Sequence, residues 1–248
     1  MNDFFRFPHT PHIAWLGNGI PRDDKVLSPQ EADKLLSYEV VVEEKLDGAN
    51  LGISVSPEGD VRAQNRGQFL QLPVKGQFEK LNFWLKSRSD ALFDALGNDL
   101  ILFGEWCAAR HSLDYDHLPD WLLVFDVYDK KSRHFWSTAR RNKLAEQLDL
   151  PVVPRLLGKH VTLNSLKELL HSQPSAFRQG TLEGIVIRNE STEWLESRAK
   201  LVRPDFVQSI GEHWSNRRIE WNHLFQGSPP GLAVLPDSFH FSQTASDT

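Results

Sequence analysis

Short β-branched and apolar segments, separated by turns and helices in no regular order, are the sequence feature that most limits the fold. Their composition is typical of strands, and they lie at 39–45, 51–55, 61–64, 100–106, 121–129, 182–188 and 199–202. Apolar residues at helical spacing predict helices at 78–96, with a break near Ser87, and at 138–148, 163–171 and 206–224. This irregular mixture indicates an α+β domain and argues against a βαβ repeat.

The composition is that of a globular protein and excludes several other classes. Hydrophobic residues make up 40% of the 248 residues and charged residues 25%. No run approaches the roughly 20 apolar residues of a membrane-spanning helix, so no membrane partner is expected. Residues 1–6 lack the pattern of a secretory signal, which predicts a cytoplasmic location. The single cysteine, Cys107, excludes an intramolecular disulfide, and a buried thiol is the simpler expectation than a reactive one.

The net charge of −5 argues against a protein that coats nucleic acid non-specifically. It leaves room for a local basic groove. Basic residues cluster at Arg140, Arg141 and Lys143, at Arg198, Lys200 and Arg203, and at Arg217 and Arg218. Each cluster could line such a groove or be a solvated surface patch.

Lys45 ends the first predicted strand and is followed by Asp47 and Gly48. A lysine held rigidly in a cleft becomes a nucleophile when burial and nearby cations lower its pKa. The string Lys-Leu-Asp-Gly in a turn is, taken alone, more often part of a solvent-exposed hairpin.

Two acids interrupt otherwise apolar strands, and a pair of cations follows them. Glu105 follows the run 100–104, and Glu183 precedes 184–187. Carboxylates at strand ends suit ribose hydroxyls or a divalent metal, although an edge-strand acid on a solvated face is the alternative. Arg198 and Lys200 share one face of a strand, which suits a triphosphate or a solvated edge.

In this order, the motifs Lys45-Leu-Asp-Gly, Arg66-Gly, Phe103-Gly-Glu, Val124-Phe-Asp, Glu183-Gly-Ile-Val-Ile-Arg and Arg198-Ala-Lys resemble those of covalent nucleotidyltransferases. That superfamily contains DNA ligases, RNA ligases and mRNA-capping enzymes. The similarity is greatest to ATP-dependent RNA ligases of the RNA ligase 2 type, because Asn50 follows Lys45 by five positions and residues 104–121 are similar to their third motif. The segment 7–12 is also similar to theirs. The resemblance implies antiparallel sheets flanked by helices.

The resemblance also implies residue roles. Lys45 would take the AMP, with Glu44 beside it in the nucleotide site. Glu105 and Arg66 would hold the ribose, Phe125 would stack on adenine, and Lys200 and Arg198 would contact the α-phosphate, with Arg203 as an alternative to Arg198. Glu183 would organise Mg²⁺ or Mn²⁺ and Asp47 its water shell. Asn50 is implied in nucleotide binding and in positioning the RNA 5′-phosphate and 3′-hydroxyl.

The domain organisation predicted from the resemblance is an adenylyltransferase domain at 1–204 and a short helical extension with a loose tail at 205–248. About 48 residues follow Lys200, too few for a full OB domain. With the negative net charge, this predicts weak RNA binding by the chain alone and reliance on an end-healing or RNA-binding protein partner. The alternatives are a minimal ATP-dependent DNA ligase, an RNA-capping guanylyltransferase and a non-catalytic nucleotide-binding module.

Overall fold

The computed structural model describes residues 4–18, 25–209 and 218–225, and nine strands among them form two antiparallel sheets. The strands are β1 (Val40–Lys45), β2 (Ala49–Val55), β3 (Val61–Gln64), β4 (Leu100–Trp106), β5 (Leu122–Asp129), β6 (His134–Phe135), β7 (Arg155–Lys159), β8 (Gly184–Glu190) and β9 (Leu195–Val202). The first sheet has the order β7-β1-β8-β9 and the second β3-β2-β4-β5-β6.

The described residues form six helices: α1 (Pro29–Leu36), α2 (Leu81–Lys86), α3 (Ser89–Leu96), α4 (Thr138–Gln147), α5 (Leu163–Ser172) and α6 (Pro204–Ser209). Leucines of α1 and α5 pack in one core with the apolar side chains of β1, β8 and β9. The apolar faces of α2, α3 and α4 pack in a second core with β2, β4 and β5. Each sheet therefore buries one face under its own helices.

The chain passes from the first sheet to the second immediately after Lys45. Lys45 is paired with Gly184 at the end of β1, and Ala49 begins β2 opposite Trp106. Gly48 makes this passage possible, because a Cβ there would lie 2.6 Å from the carbonyl oxygen of Trp106. The turn at residues 46–48 consequently fixes Lys45 where the two sheets meet.

The α+β class with antiparallel sheets is confirmed, and all seven predicted strands are present. The helical segment 78–96 is interrupted after Lys86, as predicted near Ser87. Helix α1 was not predicted, although Ser28 and Glu31 form a capping box at its start. Strands β6 and β7 were also missed.

The helix predicted over 206–224 is wrong in part. Helix α6 is described over Pro204–Ser209, and residues 210–217 lie outside the described residues. Residues 218–225 are extended, with β-bridges from Trp221 to Ala109 and from Leu224 to Leu118. The expected loose tail after residue 226 lies outside the described residues, as does Arg217. The division into domains at residue 204 stays a prediction. No helix in the described ranges is long and apolar enough to cross a membrane.

Candidate active site

A cleft of about 710 Å³ opens at Lys45 and is lined by residues of both sheets. Its volume lies within the usual range for small-molecule sites. Eight of the residues proposed from sequence line it: Glu44, Lys45, Asn50, Arg66, Glu105, Phe125, Arg198 and Lys200. Asp47 and Glu183, the two proposed metal ligands, are not among the lining residues. The structure thus gathers most of the predicted nucleotide site around one lysine.

Lys45 forms a close ion pair with Glu183. Its Nζ atom lies 2.6 and 2.7 Å from the two carboxylate oxygens, and the Glu183 side chain is only 5% exposed. Burial alone would lower the pKa of Lys45, but the charges of Glu183, Glu105 and Asp47 outweigh it and raise that pKa. The expectation of a pKa lowered by burial and nearby cations is therefore wrong for the protein without nucleotide, since the groups that decide the shift are anions.

The carboxylates around Lys45 are themselves perturbed. Burial, with smaller repulsion from Asp47, raises the pKa of Glu105 to about 7 and that of Glu183 to about 8, despite the opposing effect of Lys45. Three acids therefore share one lysine in a desolvated space. Such a site gains stability from a bound cation or from positive groups on a ligand.

Asn50 and Glu105 lie directly opposite each other on β2 and β4. The Gly48 backbone N–H donates to Oε1 of Glu105 at 3.0 Å, which fixes that carboxylate at the cleft. The Oδ1 atom of Asn50 is buried and is one of five buried side-chain atoms, within the described residues, that lack a hydrogen-bond partner. A buried acceptor without a donor is unfavourable, so this atom marks a position for a ligand donor.

Asp47 and Glu44 use their carboxylates to hold neighbouring loops. Oδ2 of Asp47 accepts the backbone N–H groups of Ser112 and Leu113, both at 2.7 Å. The Glu44 carboxylate accepts the Ser175 hydroxyl at 2.5 Å and the Ala176 N–H at 2.9 Å. The nucleotide role of Glu44 and the metal role of Asp47 stay predictions.

Aromatic and cationic side chains also line the cleft. Phe125 lines it and meets Phe7 edge-on at 5.3 Å. The guanidinium of Arg198 lies 4.5 Å from the ring centre of Phe7, 4.6 Å from that of Phe135, and pairs with Asp126. Burial and the positive charges of Arg188 and Arg66 lower the pKa of Arg198, although Asp126 opposes them.

Arg203, the alternative to Arg198, pairs with Asp205 and does not line the cleft. Arg66, in contrast, is held at the cleft by the preceding residue. Asn65 Oδ1 accepts the N–H groups of Gly67 and Gln68 at 2.8 and 2.9 Å. Of the three arginines proposed from sequence, Arg66 and Arg198 line the cleft and Arg203 does not, and their nucleotide roles stay predictions.

A sequence model of the RNA ligase family matches residues 38–202, about two thirds of the chain. The chain belongs to the RNA ligase family. The matched segment contains every residue proposed for the site from Glu44 to Lys200, and the alternative Arg203 lies one position beyond it. A sequence comparison with curated proteins gave no match.

Solved structures of an RNA ligase from Naegleria gruberi share the fold. The structure of that ligase with PPi superposes with a TM-score of 0.59 at 17% identity, over 83% of this chain and 64% of the other. A mutant with ATP and Mn gives 0.57 at 16% identity, over 71% of this chain and 53% of the other. A mutant with AMP and Mn gives 0.54 at 16% identity over the same shares. The chain therefore spans about half to two thirds of the length of these ligases.

In this RNA ligase family member, a buried ionic network joins the two sheets and reaches the cleft, which is lined by four of its members: Glu43, Asp126, Arg188 and Arg198. Arg141 of α4 pairs with Glu43 of β1 at 2.7 Å, and both are almost completely buried. Arg188 of β8 lies 2.9 Å from Asp126 of β5, which also pairs with Arg198. Arg141 is thus neither a solvated patch nor part of a groove. Neither Arg141 nor Arg188 was assigned a role from sequence, although an arginine within an apolar strand, as at 188, is a usable signal.

Sequence reasoning also missed Gln77, which lines the cleft. Its Oε1 atom lies 2.8 Å from Nε2 of His111, which lines the cleft too. Gln77 lies in a 3₁₀ turn, Gly76–Phe78, and no pattern in the sequence marks it. Cys107 is fully buried, and burial raises the pKa of its thiol, so the expectation of an inert side chain is met.

Proposed function

We propose that this chain is an ATP-dependent RNA ligase that joins RNA 3′-hydroxyl and 5′-phosphate ends through a lysyl-AMP intermediate on Lys45. The observation that carries the proposal is the convergence of Lys45, Glu105, Phe125, Arg198 and Lys200 on one cleft. A non-catalytic module of the same family would have no need to keep a lysine paired with a buried acid at the centre of such a cleft.

Each nucleotide part has a suitable partner in the cleft. Phe125 offers a ring face to adenine, and Glu105 and Arg66 offer an acceptor and donors for the ribose hydroxyls. Arg198 and Lys200 would bring positive charge to the α-phosphate, because both lie on β9 and line the cleft. The Naegleria gruberi structures with ATP and with AMP share this fold, which supports an adenine nucleotide as the ligand.

The proposed reaction has three in-line displacements at phosphorus. Lys45 Nζ attacks the α-phosphate of ATP and pyrophosphate leaves. The RNA 5′-phosphate then attacks the lysyl-AMP, which frees Lys45 and gives RNA-adenylate. A 3′-hydroxyl finally attacks the activated 5′-phosphate and AMP leaves. The protein contributes positioning and positive charge rather than further covalent bonds.

Lys45 must lose a proton before the first step. The carboxylates that raise its pKa in the protein without nucleotide oppose this loss. Arg198 and Lys200 line the cleft, and we expect them to neutralise part of the negative charge of the incoming phosphates. Glu183 Oε1 lies 2.6 Å from Nζ, so this ion pair must break before Lys45 attacks.

A divalent cation fits the donor set, although the described residues contain no ready cluster of three metal-binding side chains. Mg²⁺ is commonly held by one or two carboxylates together with substrate phosphates. Glu183 would supply such a carboxylate, and Asp47 would act through the water shell. When bound, the cation would neutralise part of the negative charge of the triphosphate. The Mn in the neighbouring ligase structures agrees with this choice.

The experiment that tests the function is sealing of a nicked duplex with a 5′-phosphate, with RNA or DNA on the 3′-hydroxyl side, in ATP and Mg²⁺ or Mn²⁺. We expect sealing with an RNA 3′-hydroxyl strand, loss of sealing in Lys45→Ala, and full activity in Lys159→Ala. Lys159 is an exposed lysine on β7 of the same sheet and serves as the matched control. Sealing of DNA alone would make the chain a minimal DNA ligase, and labelling by GTP rather than ATP would indicate a capping enzyme.

We further propose that the isolated chain binds RNA weakly and works with an end-healing or RNA-binding protein. The net charge of −5 supports this, because affinity for RNA draws on cations that contact phosphates. A low-salt binding titration with single-stranded and nicked RNA tests it. Tight binding by the isolated chain would contradict it.

A further inference from the structure

Residues 218–225, here called the strap, lie along the loop 107–118 that follows β4. The two segments exchange backbone hydrogen bonds: Arg110 N–H to Glu220 O at 2.8 Å, Asn222 N–H to Ala108 O at 3.0 Å, His223 N–H to Tyr115 O at 2.9 Å and Leu118 N–H to His223 O at 3.0 Å. The strap is thus bound to the loop as an additional strand would be.

Asn222 is the buried centre of this contact. Its side chain is 3% exposed and satisfies three backbone groups of the loop. Nδ2 donates to the carbonyl oxygens of Cys107 at 2.8 Å and Ala109 at 3.4 Å, and Oδ1 accepts the Tyr115 N–H at 2.9 Å. A buried amide with donors and acceptor used in this way fixes the loop in one conformation.

The loop in turn holds the residues that follow Lys45. The Tyr115 hydroxyl accepts the Asp47 backbone N–H at 2.8 Å, and the Asp47 carboxylate accepts the N–H groups of Ser112 and Leu113. Leu46 is buried in a cluster with Tyr115, against which Leu224 of the strap packs. Two hydrogen-bonded contacts therefore connect Asn222 to the backbone beside Lys45.

We propose that Asn222 is a positioning residue for the reaction at Lys45, acting through Tyr115 and Asp47. The proposal rests on the proposed function and adds to it a residue that is far from Lys45 in sequence. Nucleophilic attack depends on holding the reacting atoms to within fractions of an ångström, and the residues that lock a nucleophile's backbone contribute to that precision. Asn222 touches no part of the cleft and acts only through its neighbours.

The test compares single-turnover formation of the AMP adduct in the full chain and in Asn222→Ala, Tyr115→Phe, the double variant and Glu220→Gln. We expect Asn222→Ala and Tyr115→Phe each to lower the rate constant at saturating ATP by roughly tenfold or more, with the half-saturating ATP concentration changed less than about threefold. The double variant should be no more than about threefold slower than the slower single variant, because both act on one path.

Glu220→Gln is the matched control. It removes an exposed ion pair with Arg110 in the same strap, so its rate constant should stay within about twofold of wild type. A merely structural role for Asn222 would reduce the labelled fraction and the melting temperature but not the rate constant of the folded protein. Unchanged rate constants, or fully additive effects in the double variant, would overturn the proposal.

Two further measurements keep the outcome decisive. If Asn222→Ala does not fold, Tyr115→Phe and the isosteric Asn222→Asp replace it, and wild-type rate constants in both would refute the proposal. If wild type forms no adduct, the proposed function fails. Hydrogen exchange at the Asp47 amide then decides: faster exchange in Asn222→Ala and Tyr115→Phe, but not in Glu220→Gln, supports positioning, and equal exchange excludes it.

Discussion

The buried pair between Arg141 and Glu43 predicts a large and specific loss of stability. Replacing Arg141 by Met keeps most of the side-chain volume but removes the guanidinium 2.7 Å from the Glu43 carboxylate. It also removes the donor to the Phe125 carbonyl oxygen at 2.8 Å. The substitution leaves the buried Glu43 carboxylate short of a partner at the cleft and leaves the Phe125 carbonyl oxygen with the Arg188 Nη1 donor at 3.3 Å.

The expected cost follows from the burial of both partners. Removing one member of a buried ion pair destabilises by about 3–5 kcal/mol. The lower end applies here, because Nε of Arg188 remains 3.8 Å from the other oxygen of Glu43. At roughly 3 kcal/mol, a chain of this size should melt about 6–12 °C lower.

The assay is thermal and urea unfolding of Arg141→Met beside Lys143→Met. Lys143 is exposed on the same helix, and the same charge is removed, so its substitution should change stability by no more than about 0.5 kcal/mol. Equal stability of the two variants would refute the view that Arg141 ties α4 to β1.

Three further predictions concern the cleft. Gly48→Ala should destabilise the protein by about 1–3 kcal/mol in urea unfolding, because its Cβ would lie 2.6 Å from the Trp106 carbonyl oxygen, and wild-type stability would contradict the tight turn. Burial raises the pKa of Glu105 from 4.5 to about 7, so as the pH rises the carboxyl loses its proton at lower pH in the unfolded chain than in the folded one, and the free energy of unfolding falls between these pH values. Glu105→Gln should make this fall with pH less steep, and an unchanged slope would contradict the raised pKa. Arg198→Ala should slow adduct formation by roughly tenfold or more and Arg203→Ala by less than about twofold, and the reverse order would assign the phosphate contact to Arg203.

Seven strands could be predicted from the sequence because buried strands are rich in β-branched and apolar residues, and this composition is visible without knowing what the strands contact. The order of the motifs also pointed to Glu105, Arg198 and Lys200, which line one cleft with Lys45, whereas Asp47 and Glu183 lie outside its lining. Pairing could not be derived in the same way. The registers that set Lys45 beside Gly184 and Asn50 opposite Glu105 depend on contacts between distant segments.

Tertiary contacts also explain the wrong predictions. Residues 218–225 continue an apolar pattern compatible with a helix, but their backbone groups pair with the loop 107–118 instead. In the sequence, Arg141 resembles its neighbouring surface cations, but in the fold its guanidinium donates a hydrogen bond to Glu43, which lies 98 residues away. The pKa of Lys45 was misjudged because the sequence does not tell which charges lie nearest to its amine.

The most direct test of the central claim is incubation of the full chain with α-labelled ATP and Mg²⁺ or Mn²⁺, followed by denaturing electrophoresis and peptide mapping. We predict one covalent AMP, attached to Lys45 and absent from Lys45→Ala. A protein stripped of bound nucleotide that forms no adduct with either metal, or an adduct on another residue, would contradict the account.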